Sequence, residues 1–195
     1  MRAVVVAAGN EANARRHYLG NLAPLQEYED VEISVGDNIG GFTAELLTNS
    51  PEVVSVAVQS PTGESQPLIP ARQGSSEEYR FLLEGTTVSI SYSLGEFTRE
   101  GELIFLRFTN PSKGIWRLRV YPENYVTSRY HIWLPVTEFV QGDIFFLRSN
   151  PETTITGPAS AYAPISVGGF NASDDSLYLD SGRGYNIDNQ VKPDF

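Results

Sequence analysis

From about Tyr28 to Leu147 the apolar residues of this chain recur at every second position. Val31, Ile33 and Val35 alternate with polar residues, and Val54, Val56 and Val58 alternate with Ser55, Ala57 and Gln59. The same spacing returns in Val88, Ile90, Tyr92 and Leu94, in Ile104, Leu106 and Phe108, and in Trp116, Leu118 and Val120. It continues through Tyr130, Ile132 and Leu134 to the apolar cluster Ile144 to Leu147. Successive side chains of a strand point to opposite faces, so this period builds half-buried antiparallel strands and cannot sit still as a helix. Turn-forming clusters separate the runs: Ser60-Pro61-Thr62-Gly63, Asn110-Pro111-Ser112-Lys113-Gly114 and Gln141-Gly142-Asp143. Eight or nine short strands at this spacing predict a β-sandwich over residues 28–150.

The flanks read differently. Ala3 to Ala8 is a continuous apolar run without alternation, which suits a parallel strand buried on both faces. It stops at Gly9-Asn10, which places Asn10 at the carboxyl edge of a sheet, where open α/β sheets carry their functional groups. Ile165 to Val167 reads as a second such strand, bounded by Pro164 and Gly168. Each would be orphaned without the other, so the two are expected to be adjacent and parallel, with the sandwich as their crossover. The expected organisation is therefore 1–27 and 151–195 as parts of an α/β core, with 28–150 inserted between them.

Charge and composition narrow the function. The net charge is −10, from 14 basic and 24 acidic residues, with no basic stripe, so nucleic acid is not an expected partner. No apolar stretch reaches membrane-spanning length, and no membrane partner is expected. Cysteine is absent, which removes thiol chemistry and thiolate metal sites. The two histidines are far apart in sequence, and no metal or other cofactor is expected. The compartment stays open.

Four segments carry a resemblance. Val4-Val5-Val6-Ala7-Ala8-Gly9-Asn10, Pro164-Ile165-Ser166-Val167-Gly168-Gly169, Ser181-Gly182-Arg183-Gly184 and Lys192-Pro193-Asp194 stand in the order found in the subtilisin-like serine proteases, the subtilases or peptidase S8 family. The large β block after the first of these strands resembles the Csp-type germination-protease subgroup, whose members carry an inserted jelly roll. Gly9-Asn10-Glu11 before Arg15-Arg16-His17-Tyr18, Trp133-Leu134-Pro135 and Thr153-Thr154-Ile155 agree with that subgroup. The resemblance implies a mostly β chain, with a jelly-roll-like antiparallel sandwich inserted between two parallel strands of a partial subtilase core. It implies a parent that cleaves peptide bonds with a Ser-His-Asp triad, and partners that are a peptide or protein substrate and the rest of the subtilase chain. The triad motifs D-[ST]-G, H-G-T-H and G-T-S are absent from this sequence, so the chain is expected to be an internal fragment, inactive alone.

The resemblance makes Asn10 the oxyanion-hole donor, because a fixed amide N–H stabilises the charge on the tetrahedral intermediate. Read from residue type alone, Asn10 is a turn or cap residue. Gly9 is a candidate substrate-binding position, since a glycine lets a peptide pass close, although a simple turn needs the same residue. His17 lies outside the H-G-T-H context and is read as a loop or interdomain residue, and His131 as a packed sheet residue. Trp116 and Trp133 are read as packing rather than a carbohydrate platform, with Trp116 the choice for a buried anchor. Asp174, Asp175, Asp188 and Asp194 match no calcium loop and are read as loop carboxylates, Asp194 paired with Lys192 or Arg183. Two other functions fit parts of the sequence: a pseudoprotease of the same family, and a β-sandwich binding module, which leaves the flanking strands unexplained.

Overall fold

A computed structural model describes residues 3–23, 25–49, 52–95, 101–123, 128–140, 142–186 and 190–195. In chain order the strands are β1 (Val5–Ala7), β2 (His17–Leu22), β3 (Glu29–Val35), β4 (Gly41–Thr48), β5 (Val54–Gln59), β6 (Ser76–Arg80), β7 (Thr87–Leu94) and β8 (Glu102–Thr109). They continue with β9 (Gly114–Pro122), β10 (Ser128–Trp133), β11 (Ile144–Phe146), β12 (Ile165–Val167), β13 (Phe170–Asn171), β14 (Ser176–Leu177), β15 (Gly184–Tyr185) and β16 (Val191–Lys192). The chain forms two compact units: one from Met1–His17 and Ser149–Phe195, the other from Tyr18–Arg148.

The Tyr18–Arg148 unit is a sandwich of a six-stranded sheet, ordered β2-β10-β4-β8-β7-β6, and a four-stranded sheet, ordered β11-β3-β9-β5. Its pairings nest. Strand β3 pairs β11, β4 pairs β10, β5 pairs β9 and β7 pairs β8, all antiparallel. First with last and second with second-last is one long hairpin rolled on itself, which is the jelly roll. Strands β2 and β6 extend the six-stranded sheet at its two edges. Because β2 belongs to this sheet, a sandwich cut at residue 28 would lack an edge strand and its buried Tyr18 and Leu22.

The alternation that marks these strands sorts their side chains. Ile33 lies opposite Trp116 and Val31 opposite Leu118, and all four are buried. The residues between them, Glu32 opposite Arg117 and Asp30 opposite Arg119, form ion pairs of 3.1 and 2.9 Å on the outer face. Such half-exposed pairs contribute at most about 1 kcal/mol each, so the inner face supplies the stability. Trp116 is the expected anchor. It is fully buried, meets Phe81 and Phe108 edge-on at 5.1 and 5.5 Å between ring centroids, and donates its indole N–H to the Ser112 carbonyl at 2.9 Å. At the other end, the Glu29 carboxylate accepts from the Tyr18 hydroxyl at 2.6 Å and the Tyr130 hydroxyl at 2.7 Å, and Arg148 covers it at 3.0 Å. Burial, reinforced by that carboxylate, pushes both tyrosines well above their usual range.

In the other unit β1 and β12 are adjacent and parallel, with Val5 opposite Ile165, Val6 opposite Ser166 and Ala7 opposite Val167. Two short hairpins, β13 with β14 and β15 with β16, complete it. Of the turn expected at Gln141-Gly142-Asp143, Gln141 lies outside the described residues, and Gly142 has the positive φ (+92°) that a tight turn asks of glycine.

Candidate functional site

The end of β1 is fixed from three sides. Ala8 donates its N–H to the Val167 carbonyl at 2.9 Å, which continues the parallel ladder by one residue. Its own carbonyl accepts from the Thr156 N–H at 3.1 Å, and the Gly9 carbonyl accepts from the Gly182 N–H at 2.9 Å. Beyond the turn, Ala12 N–H reaches the Asp180 carbonyl at 3.2 Å. The backbone on both sides of Asn10 is thereby held, while Asn10 itself is exposed. Among the described residues no hydrogen bond engages its carboxamide. A cap or turn asparagine would use its side chain on neighbouring backbone; this one leaves its N–H donors facing solvent at the carboxyl end of a parallel strand.

Gly9 has a structural requirement of its own. Its φ is +92°, and a Cβ there would lie 2.3 Å from Thr156 Oγ1. Backbone conformation and Thr156 both exclude a side chain. Gly182 is equally constrained, since a Cβ would fall 2.5 Å from the Ala8 carbonyl oxygen and 2.9 Å from that of Thr154. The Ser181-Gly182-Arg183-Gly184 segment thus lies directly against the Ala-Ala-Gly-Asn strand end. Arg183 closes it by donating to Glu152 at 3.0 Å, and Ser181 Oγ accepts the Gly169 N–H at 2.9 Å.

The Lys192-Pro193-Asp194 run fixes β12. The Ser166 N–H and hydroxyl donate to Asp194 Oδ2 at 2.7 and 2.8 Å. The buried Lys192 ammonium donates to the same oxygen at 2.7 Å and to the Pro164 carbonyl at 3.0 Å. The lysine and the Ser166 donors hold the Asp194 carboxyl down at about 2. Asp194 is a backbone clamp paired with Lys192.

Of the remaining candidates, His17, His131 and Asp174 have partners of their own. His17 is buried, and its Nδ1 lies 3.1 Å from the Asn150 carbonyl, while Asn150 N–H donates back to the His17 carbonyl at 2.8 Å. His131 stacks on Trp133 at 5.2 Å, and burial with Arg129 nearby lowers it to about 4. Asp174 accepts the Ser176 N–H and hydroxyl at 3.1 and 2.7 Å, bonds that hold its carboxyl below the usual range, and Asp175 takes the left-handed turn position at φ 55°. Asp188 lies outside the described residues. Among the described residues no group of three or more His, Asp or Glu is placed to hold a metal ion.

Beside Asn10 an open groove of about 650 Å³ runs along Val5 to Gly9 and is bounded by Val167, Gly169, Tyr178 and Ser181. Sequence reasoning missed Thr156 and Tyr178. The first acts through its backbone N–H, which leaves no mark on residue type. The second sits on a hairpin flank whose polar sequence resembles a loop.

No protein-family model matches this chain, and no curated protein matches it. Among solved structures this chain is similar to one of a protease. That structure is the Clostridium perfringens CspB protease, with a TM-score of 0.84 and 29% sequence identity over 98% of this chain. The match covers 40% of the CspB chain, so this chain spans well under half of the length of that protein.

Proposed function

We propose that this chain is part of a subtilisin-like serine endopeptidase, that it supplies the oxyanion-hole donor Asn10, and that its inserted jelly roll stiffens or gates the protease core. The observation that carries this reading is the exposed, unengaged Asn10 carboxamide on a backbone held by Val167, Thr156 and Gly182. In peptide hydrolysis a serine attacks the scissile carbonyl, a histidine takes its proton and an aspartate orients the histidine. Those groups would come from other parts of a longer protein. Asn10 would donate its side-chain N–H to the carbonyl oxygen as that oxygen gains negative charge, and a donor already positioned does so without reorganising water. The hydrogen-bonded backbone on both sides of Asn10 supports this reading. The exposure of Val4, Val5, Val167, Phe170 and Phe195 supports the second expected partner, further core segments of the same protein laid over this unit.

The test is a peptide-ester assay on two samples. The chain alone should show no turnover above buffer. The full-length protein should be active, and Asn10→Ala should lower its kcat on the order of 10²- to 10³-fold with KM little changed, the size known for this donor in subtilisin. Turnover by the isolated chain that survives Asn10→Ala overturns the reading. So does a full-length enzyme whose kcat ignores Asn10. A full-length protein with no activity would identify a pseudoprotease instead.

A further inference from the structure

The open edge of the six-stranded sheet has the build of a peptide site. Among the described residues strand β6 pairs with β7 alone, from Ser76 opposite Ser91 to Arg80 opposite Thr87, and ends the sheet. An edge strand presents a row of unpaired N–H and C=O groups. Beside it runs the extended segment Gln66 to Pro70, which belongs to the other sheet: Gln66 and Ile69 donate their N–H groups to the Val58 and Val56 carbonyls at 2.8 and 3.1 Å. Pro67 and Pro70 have no N–H, so this segment cannot close the β6 edge itself. Between the two lies a groove of about 240 Å³, lined by Gln66 to Pro70 and by Glu77, Glu78 and Tyr79.

The turn that follows β6 is anchored and carries exposed apolar side chains. Glu64 accepts the N–H groups of Leu82 and Leu83 at 3.1 and 3.2 Å, and Glu84 accepts the Thr62 N–H at 3.3 Å. The two turns are thus tied to each other. They nonetheless leave Leu82 and Leu83 78% and 75% exposed, with Leu68 at 46%. Leucines held out on an anchored turn cost little entropy to engage.

Charge selects the occupant. Glu77 lies opposite the core residue Ile90, so it occupies an inner-face position at the rim, and Glu78 takes the outer face. Both are exposed, and among the described residues neither has a cationic partner. Arg80 stands at the far end of the strand. An acidic residue on the inner face of an edge discourages pairing with apolar or acidic strands. The same carboxylates favour a strand that carries lysine or arginine opposite them.

We infer that the β6 edge binds an extended, basic peptide segment of a partner protein, which joins the sheet beyond β6 and lays apolar side chains against Leu68, Leu82 and Leu83. The site lies wholly within the Tyr18–Arg148 unit and does not depend on the protease reading.

The probe is a labelled, end-capped peptide of roughly seven residues with two adjacent central lysines between valines, which sets one lysine on each face of a strand of that length. Fluorescence anisotropy should show saturable binding, and hydrogen exchange should slow at residues 76–80. The same peptide N-methylated at every second residue keeps its charge but loses one hydrogen-bonding edge, and should bind about tenfold more weakly or worse. Glu77→Gln with Glu78→Gln should weaken binding by a similar factor. Glu27→Gln with Glu138→Gln, which changes net charge equally, should not. Equal binding of the N-methylated peptide, or equal loss in both double variants, would show adsorption to an acidic surface and overturn the assignment. So would tight binding of a glutamate-valine peptide, or no binding at millimolar peptide.

Discussion

At the scale of single residues, the role proposed for Asn10 and the packing of its neighbour Gly9 separate function from folding. Asn10 is exposed and makes no hydrogen bond within the described chain, so Asn10→Ala should change stability by no more than about 0.5 kcal/mol. Gly9→Ala forces both a strained φ and a contact with Thr156, and should strip amide protection from residues 5–8 and 165–167. Equal effects of the two substitutions on hydrogen exchange would contradict this division. Two buried titratable groups set a pH signature. Burial raises the Glu102 carboxyl to about 7, with one oxygen held by the Val54 N–H at 2.9 Å. A raised folded value means that its contribution is complete below about 4.5 and is lost as pH rises through about 7, on the order of 3 kcal/mol in all. His131 runs the other way. Its folded value is depressed to about 4, so its contribution is present above about 6.5 and is lost as pH falls towards 4. The two oppose each other between about pH 4.5 and 6.5. Glu102→Gln should therefore unmask a loss of stability on mild acidification, and His131→Gln a loss on mild alkalinisation, as denaturant midpoints across that range would show.

At the scale of strands, legibility followed how much apolar face each element had to bury. Strands β3, β7 and β9 set an inner face in the core against a largely polar outer face, and their alternation announces them; β5 is buried on both faces and β8 carries Leu103 and Phe105 on its outer face, so their apolar content marks them instead. Strand β6, Ser-Glu-Glu-Tyr-Arg, gives no such sign, because an edge strand at the rim buries almost nothing. Strand β2 hides too: its Gly20 leaves room for the Tyr130 ring, which a Cβ would meet at 2.0 Å, so an apolar position is filled from across the sheet. The candidate site divides in the same way. Gly182 and Lys192 act through properties peculiar to a side chain, or to the lack of one, and motif order exposes them together with Asn10, whose proposed role is of the same kind. Thr156 and Asp180 contribute backbone groups that any residue could supply. Within the elements, the inner row of β9 is the most exacting. Trp116→Ala removes a fully buried ring from between Phe81 and Phe108 and should cost about 3–5 kcal/mol, with urea unfolding as the measure. A cost below about 1 kcal/mol would mean that the sandwich is not organised around this row.

At the scale of the whole chain, the Tyr18–Arg148 unit holds nearly all of the contiguous apolar core. A polypeptide of residues 17–150 should melt cooperatively, with a β-type circular dichroism spectrum, within a few degrees of the full chain. Residues 3–16 joined directly to 151–195 should not fold alone. An aggregated 17–150 product would show instead that the flanking strands complete the core. One detail links the two fates. His17 and Asn150 exchange backbone and ring hydrogen bonds, and Arg148 Nη2 donates to the Tyr18 hydroxyl at 2.8 Å, so the sandwich begins and ends at nearly the same place. For β1 and β12 the folded sandwich is then equivalent to a connection of about 25 residues, 8–17 and 150–164. Unfold it, and the same two strands must find each other across a loop of more than 150 residues, a closure penalty larger by about 1.6 kcal/mol. The parallel pair that carries Asn10 is too short to meet that penalty alone. The order of assembly follows: the sandwich first, the strand pair second. A defect planted at Trp116, in the other unit, should register as lost amide protection at Val5 to Ala8.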